Sequence, residues 1–149
     1  MAAEYLANAV QDVNLNAPVN FTASIPCTKG YVYHEDETGI FILRGITCGQ
    51  CFATYQVTFN GNIALPDGAT VVPIALAIAV NGETRQTSKA IYTPQAAAEF
   101  GNVTCTAIIK VPRGCCFSVS VRNVAADAVN DPADVVEVQN ANLVINRIA

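Results

Sequence analysis

The chain has 149 residues, enough for one domain with a full core and too few for two comfortable ones, so residues 1–149 are read as a single unit. Its net charge of −4 and pI near 4.7, with Lys and Arg scattered along the chain, exclude a basic stripe able to neutralise nucleic-acid phosphates. Hydrophobic residues reach 52% while charged residues make up only 13%, about half the rough 25% of an ordinary soluble domain. A small globule has too much surface to leave so many positions uncharged unless some are covered. Burial between subunits is the simplest cover, because obligate interfaces resemble a core cut in half. A neutral surface rich in Asn and Thr is the alternative. No Lys/Arg-led apolar segment opens the chain, so no export signal is expected. The longest apolar run, Val71 to Val80, is too short to cross roughly 30 Å of hydrocarbon, and no membrane insertion is expected.

In chain order, Glu4–Val10 has the composition for one or two helical turns. Glu35–Gly39 then separates Tyr31–His34 from Ile40–Leu43 and reads as a hairpin. Ala53, Tyr55, Val57 and Phe59 alternate with Thr54, Gln56 and Thr58. Such period-two patterning is that of a half-buried strand. Asn60-Gly61 fits either a turn or a bulge within a longer strand. Pro66-Asp67-Gly68 fits a tight turn, and Asn81-Gly82 after the buried run Pro73–Val80, which includes Ile78, is a strong hairpin signal. Pro94–Phe100 is a second short helical candidate. Val103, Cys105, Ala107 and Ile109 alternate with Thr104, Thr106, Ile108 and Lys110. Pro112-Arg113-Gly114 joins this strand to another, where Cys115, Phe117, Val119 and Val121 alternate with Cys116, Ser118, Ser120 and Arg122. Arg122–Asp134 reads as a surface loop, and Leu143, Val144 and Ile145 belong to a last strand. Many short strands at regular turn spacing predict an all-β sandwich or barrel. Its core candidates are Tyr55, Val57, Phe59, Ile78, Cys105, Ile109, Phe117, Val119, Leu143 and Ile145.

The order of these segments carries a resemblance. The pieces are Gly49–Phe59, then Ala75–Val80 closing on Asn81-Gly82-Glu83, then Ala107–Gly114 leading into Phe117–Val121, and finally Val138–Ile148. This arrangement resembles the tumour necrosis factor and complement globular-head superfamily. The closer likeness is to its bacterial branch, which includes the C-terminal heads of collagen-like spore-surface glycoproteins and short proteins of Firmicutes and their phages. The chain departs from the family where Cys115 stands in place of the usual acidic residue after the turn glycine, and it has no Gly-X-Y stalk. The resemblance implies a two-sheet antiparallel jelly-roll sandwich that forms a homotrimer through one sheet. The interface candidates are then Thr54, Gln56, Thr58, Thr106, Ile108 and Val144. It also implies a structural or attachment role on a virion or on a bacterial or spore surface, with the chain itself, other surface proteins or glycans as partners. A lectin-like or spore-coat head is the alternative within binding proteins.

Candidate chemistry is sparse. The six cysteines are Cys27, Cys48, Cys51, Cys105, Cys115 and Cys116. Cys48-Gly49-Gln50-Cys51 has the spacing of half a zinc site or of a redox turn, and a zinc- or thiol-dependent enzyme using Cys48 and Cys51 is the alternative of another class. Zinc would need a second pair, and His34 is the only histidine. A redox turn would open a helix, whereas Cys51 enters a strand. Buried thiols and disulfides are the remaining readings. His34 with Glu35, Asp36 and Glu37 would hold calcium or act as a protonation switch only if these consecutive residues converged; a solvated hairpin tip is the simpler account. No nucleophile–base pair, P-loop or dinucleotide fingerprint occurs. No catalytic residue, metal site or cofactor is expected.

Overall fold

The computed structural model describes residues 2–25 and 30–149; Cys27 lies outside the described residues. Among the described residues twelve strands run in the order β1 (Ala2–Ala7), β2 (Gln11–Asn14), β3 (Ala23–Ile25), β4 (Val32–His34), β5 (Phe41–Arg44), β6 (Phe52–Ala64), β7 (Ile74–Val80), β8 (Glu83–Thr84), β9 (Ala90–Tyr92), β10 (Gly101–Pro112), β11 (Cys116–Val124) and β12 (Val135–Arg147). They form two antiparallel six-stranded sheets. In the first, the order is β10-β6-β12-β1-β3, with β2 also paired to β12. In the second it is β4-β5-β11-β7-β8, with β9 also paired to β7. This is a jelly-roll sandwich.

Alternation explains the layering. Tyr55, Val57, Phe59, Cys105, Ile109, Leu143 and Ile145 point inward from the first sheet, and Ile78 and Val119 from the second; all are buried in one core. Phe117 only half enters it, because it sits at the start of β11 near the end of the sandwich. Tyr5, Phe21, Phe41 and Phe59 meet edge to face, with ring centroids 4.5–6.5 Å apart. Such pairs add about 0.5–1.5 kcal/mol each beyond their buried area. Asn123 ties the sheets at one margin: its buried Nδ2 donates to the Val13 carbonyl at 3.1 Å and to that of Ala133 at 3.4 Å. Ser88 mends the gap between β8 and β9, where its Oγ accepts from the Ile78 N–H at 2.9 Å and donates to the Arg85 carbonyl at 2.6 Å.

Several sequence expectations change. Glu4–Val10 is not helical. Ala3, Tyr5 and Ala7 alternate into the core, and β1 pairs with β12 and β3, so tertiary pairing overrides local helical propensity. Pro94–Phe100 is a turn in which the Ala98 N–H is held by the Leu65 carbonyl at 2.9 Å. Asn60-Gly61 lies within β6, which runs on to Ala64. The register slips instead on β12, between Gln139 and Asn142, where Asn140 takes φ 53°. Gly61 is needed there because a Cβ would sit 2.8 Å from the Phe59 ring. Asn81 and Gly82, at φ 53° and 81°, make the left-handed turn from β7 to β8. The first residues of Arg122–Asp134 belong to β11, which extends to Val124. The Pro112–Gly114 turn does not close a hairpin, since β10 and β11 belong to different sheets and the turn carries the chain across the sandwich.

Removing Leu143–Ala149 should leave β6 and β1 without a shared partner and strip Leu143 and Ile145, each worth roughly 1.5–3 kcal/mol of burial. The truncated chain should be insoluble or melt without cooperativity in a calorimetric scan, and a cooperative transition would refute the placement of β12. A milder probe, Leu143→Ala, should cost about 2–5 kcal/mol in denaturant unfolding. Burial pushes the Cys105 thiol up to about 11, against an ordinary 9.0. Its protonated form therefore contributes stability that is intact below pH 9 and lost as the pH rises toward 11. Iodoacetamide at neutral pH should leave Cys105 unlabelled until guanidinium is added, as read by peptide mass.

Candidate functional site

The outer face of the first sheet is the surface that the chain builds most deliberately. With Tyr55, Val57 and Phe59 committed to the core, strand geometry turns Phe52, Thr54, Gln56, Thr58 and Asn60 of β6 the other way. Register then places Thr104, Thr106, Ile108 and Lys110 of β10 beside Asn60, Thr58, Gln56 and Thr54. On the other flank, Asn142, Val144 and Asn146 of β12 lie beside Asn60, Thr58 and Gln56. Lys110 alone among these residues carries a charge.

The six sequence-derived interface candidates thus come together on one face. Thr54, Thr58 and Val144 are half-buried, and Gln56, Thr106 and Ile108 are exposed. The face is graded along the strands. Toward one pole Phe52, Ile108 and Ile148 are 47%, 47% and 50% exposed in the isolated chain, spaced by Thr54, Gln56 and Lys110. Toward the other pole the side chains form a neutral ladder. Asn102 Nδ2 donates to Asn60 Oδ1 at 2.9 Å and to Asn62 Oδ1 at 3.2 Å, and Thr104 Oγ1 donates to Asn60 Oδ1 at 3.3 Å. Thr58 and Thr106 hydroxyls are 3.3 Å apart. At the margin, Asn142 Nδ2 donates to Glu4 Oε1 at 2.8 Å. Sequence reasoning passed over Phe52, Asn60, Asn102 and Ile148; the parity that selected Thr54 and Val144 places Phe52, Asn60 and Ile148 on the same face.

Elsewhere the chemistry is thin. His34 faces inward from β4, stacked on Phe41 at 4.3 Å with its Nε2 2.8 Å from the Thr38 carbonyl. Its Nδ1 is buried without a hydrogen-bond partner, and the Tyr5 and Phe41 rings pack against the imidazole. Glu35, Asp36 and Glu37 are exposed at the hairpin tip. Cys48, Cys51, Cys115 and Cys116 are exposed and unpaired. Among the described residues no three His, Cys, Asp or Glu side chains are grouped to hold a metal ion. An open depression of about 470 Å³ lies between Pro66–Val72 and Asp131–Val135, with Asp131 and Asp134 the only titratable groups in its wall. Among the described residues no helix is long and apolar enough to cross a membrane.

No family model matches the chain, and no curated protein matches it in sequence. Solved structures do match it in fold. The globular domain of a zebrafish complement 1qA protein is 14% identical, with a TM-score of 0.63 over 99% of this chain and 97% of that one. The Eiger tumour necrosis factor of S. frugiperda is 12% identical, with a TM-score of 0.68 over 100% and 92%. Murine APRIL is 8% identical, with a TM-score of 0.56 over 97% and 98%. The chain therefore has the two-sheet jelly-roll fold of these globular heads, along its whole length.

Proposed function

We propose that this chain is a non-enzymatic head that assembles as a homotrimer through the outer face of its first sheet and serves in attachment or structural display. The observation that carries this reading is the outer face itself: among the outward residues of Phe52–Asn60 and those paired beside them on β10 and β12, Lys110 is the one charge, and Phe52, Ile108 and Ile148 are left in water. The chain's accessible area is 7414 Å². About 7,300 Å² is expected for a compact monomer of 15.7 kDa, so the low charge content does not reflect a small surface. Copies of the chain are the occupant that best suits a neutral face. A nucleic acid would need cations there, and closed rotational symmetry covers every face at once.

The display site is a virion or a bacterial or spore surface. Support comes from the segment order Gly49–Phe59, Ala75–Glu83, Ala107–Gly114 and Val138–Ile148, which resembles bacterial members of the superfamily, and from the shared fold. Immunogold labelling of particles and cells from the source tests this part, and label confined to the cytosol contradicts it.

Light scattering coupled to size exclusion at micromolar protein should give three times 15.7 kDa. Ile108→Glu should abolish the trimer at the same concentration, because each copy would bury an unpaired carboxylate. Its circular dichroism should stay native, since Ile108 points away from the core. A monomeric wild-type mass would refute the assembly and leave the low charge content as a property of a neutral surface.

A further inference from the structure

We propose that Cys48 and Cys51 form a reversible dithiol–disulfide site on the pole where the two sheets are joined. Two crossing segments meet at this pole. Residues 45–51 carry the chain from β5 of the second sheet to β6 of the first, and residues 112–116 carry it back from β10 to β11. They are stapled together by backbone hydrogen bonds: Gly45 N–H to the Cys115 carbonyl at 2.8 Å, Gly114 N–H to the Gly45 carbonyl at 2.9 Å, and Arg113 N–H to the Cys51 carbonyl at 2.9 Å. Gly45 is buried against the Pro112 carbonyl with no room for a side chain. The stems of the loop are therefore fixed.

Its tip is different. Gly49 takes φ 79° in a bend, with open space where a Cβ would be. Thr47 Oγ1 donates to the Gln50 carbonyl at 2.7 Å, which holds the bend at Cys48 and Gly49. Both thiols are exposed, in contrast to Cys105, which lies in the core with its thiol held protonated. A buried thiol is inert toward exchange, whereas exposed thiols three residues apart across a bend can act in sequence. The partner is a small disulfide of the glutathione class. One thiolate attacks its sulfur, forms a mixed disulfide and releases one reduced thiol. The second cysteine loses its proton to solvent, attacks the mixed disulfide and releases the other. Two electrons and two protons leave the protein, and the oxidant becomes two thiols. Cys115 and Cys116 on the adjoining segment are less suited to pair with each other, because adjacent residues close a strained ring.

The test uses the full-length reduced protein, incubated with oxidised glutathione, quenched by acid and mapped by peptide mass spectrometry. The wild-type peptide that holds both Cys48 and Cys51 should lose the mass of two hydrogens through a bond joining them, which dithiothreitol reverses. Cys51→Ser should instead retain one glutathionyl group on Cys48, and Cys48→Ser one on Cys51, with melting of both variants unchanged before oxidation. Persistent glutathione adducts on Cys48 or Cys51 of the wild type, a linked peptide joining other cysteines, or no reaction would each overturn the proposal.

Discussion

The placement of β12 is the constraint on which the rest depends. From Glu137 to Arg147 it pairs with β6 on one side, and on the other with β2 and then β1. A strand paired along both margins has its two faces assigned at once. Leu143 and Ile145 go to the core, and Asn142, Val144 and Asn146 go to the outer surface. A slip of one residue would exchange these sets and expose the aliphatics, so burial fixes the register. The bulge at Asn140 corrects the phase partway along, which lets Val136 and Val138 enter the same core as Leu143.

That constraint reaches the proposed assembly face through register. Once β12 is fixed against β6, and β6 against β10, the outward residues form rows: Val144, Thr58, Thr106; then Asn146, Gln56, Ile108. Their chemistry follows from what the inward residues require, since alternate positions are left free for another use. Polar groups on this face satisfy one another laterally, as Asn60, Asn62, Asn102 and Thr104 do. Covering such a face with another copy strands fewer buried donors, each of which would cost about 1–3 kcal/mol.

Much of the fold was legible in the sequence because half-buried strands write their period directly. Ala53–Phe59 and Val103–Lys110 alternate cleanly, and Asn81-Gly82 names its own turn. The legibility failed where pairing across the chain decides conformation. Glu4–Val10 holds residues compatible with a helix, and only the availability of β12 and β3 makes Ala2–Ala7 a strand. The link at Pro112–Gly114 was visible as a turn but not as a crossing between sheets, because turn residues do not report which sheet receives the next strand. Ser88 and Asn123 carried no local signal at all; their value lies in carbonyls and amides brought to them from Ile78, Arg85 and Val13. The candidate face was legible only in its parity. Its apolar end, Phe52 and Ile148, needed the register to be assembled from β6 and β12.

Hydroxyl-radical footprinting at micromolar protein tests the face most directly, because the molecule carries its own reference. In the single chain Phe52 on the outer face of the first sheet is 47% exposed and Tyr33 on the second sheet is 51% exposed, while Phe59 is fully buried. If copies pack through the first sheet, Phe52 should oxidise as slowly as Phe59 and Tyr33 should oxidise freely. Equal labelling of Phe52 and Tyr33 would contradict the account, because it would leave the neutral face open to water.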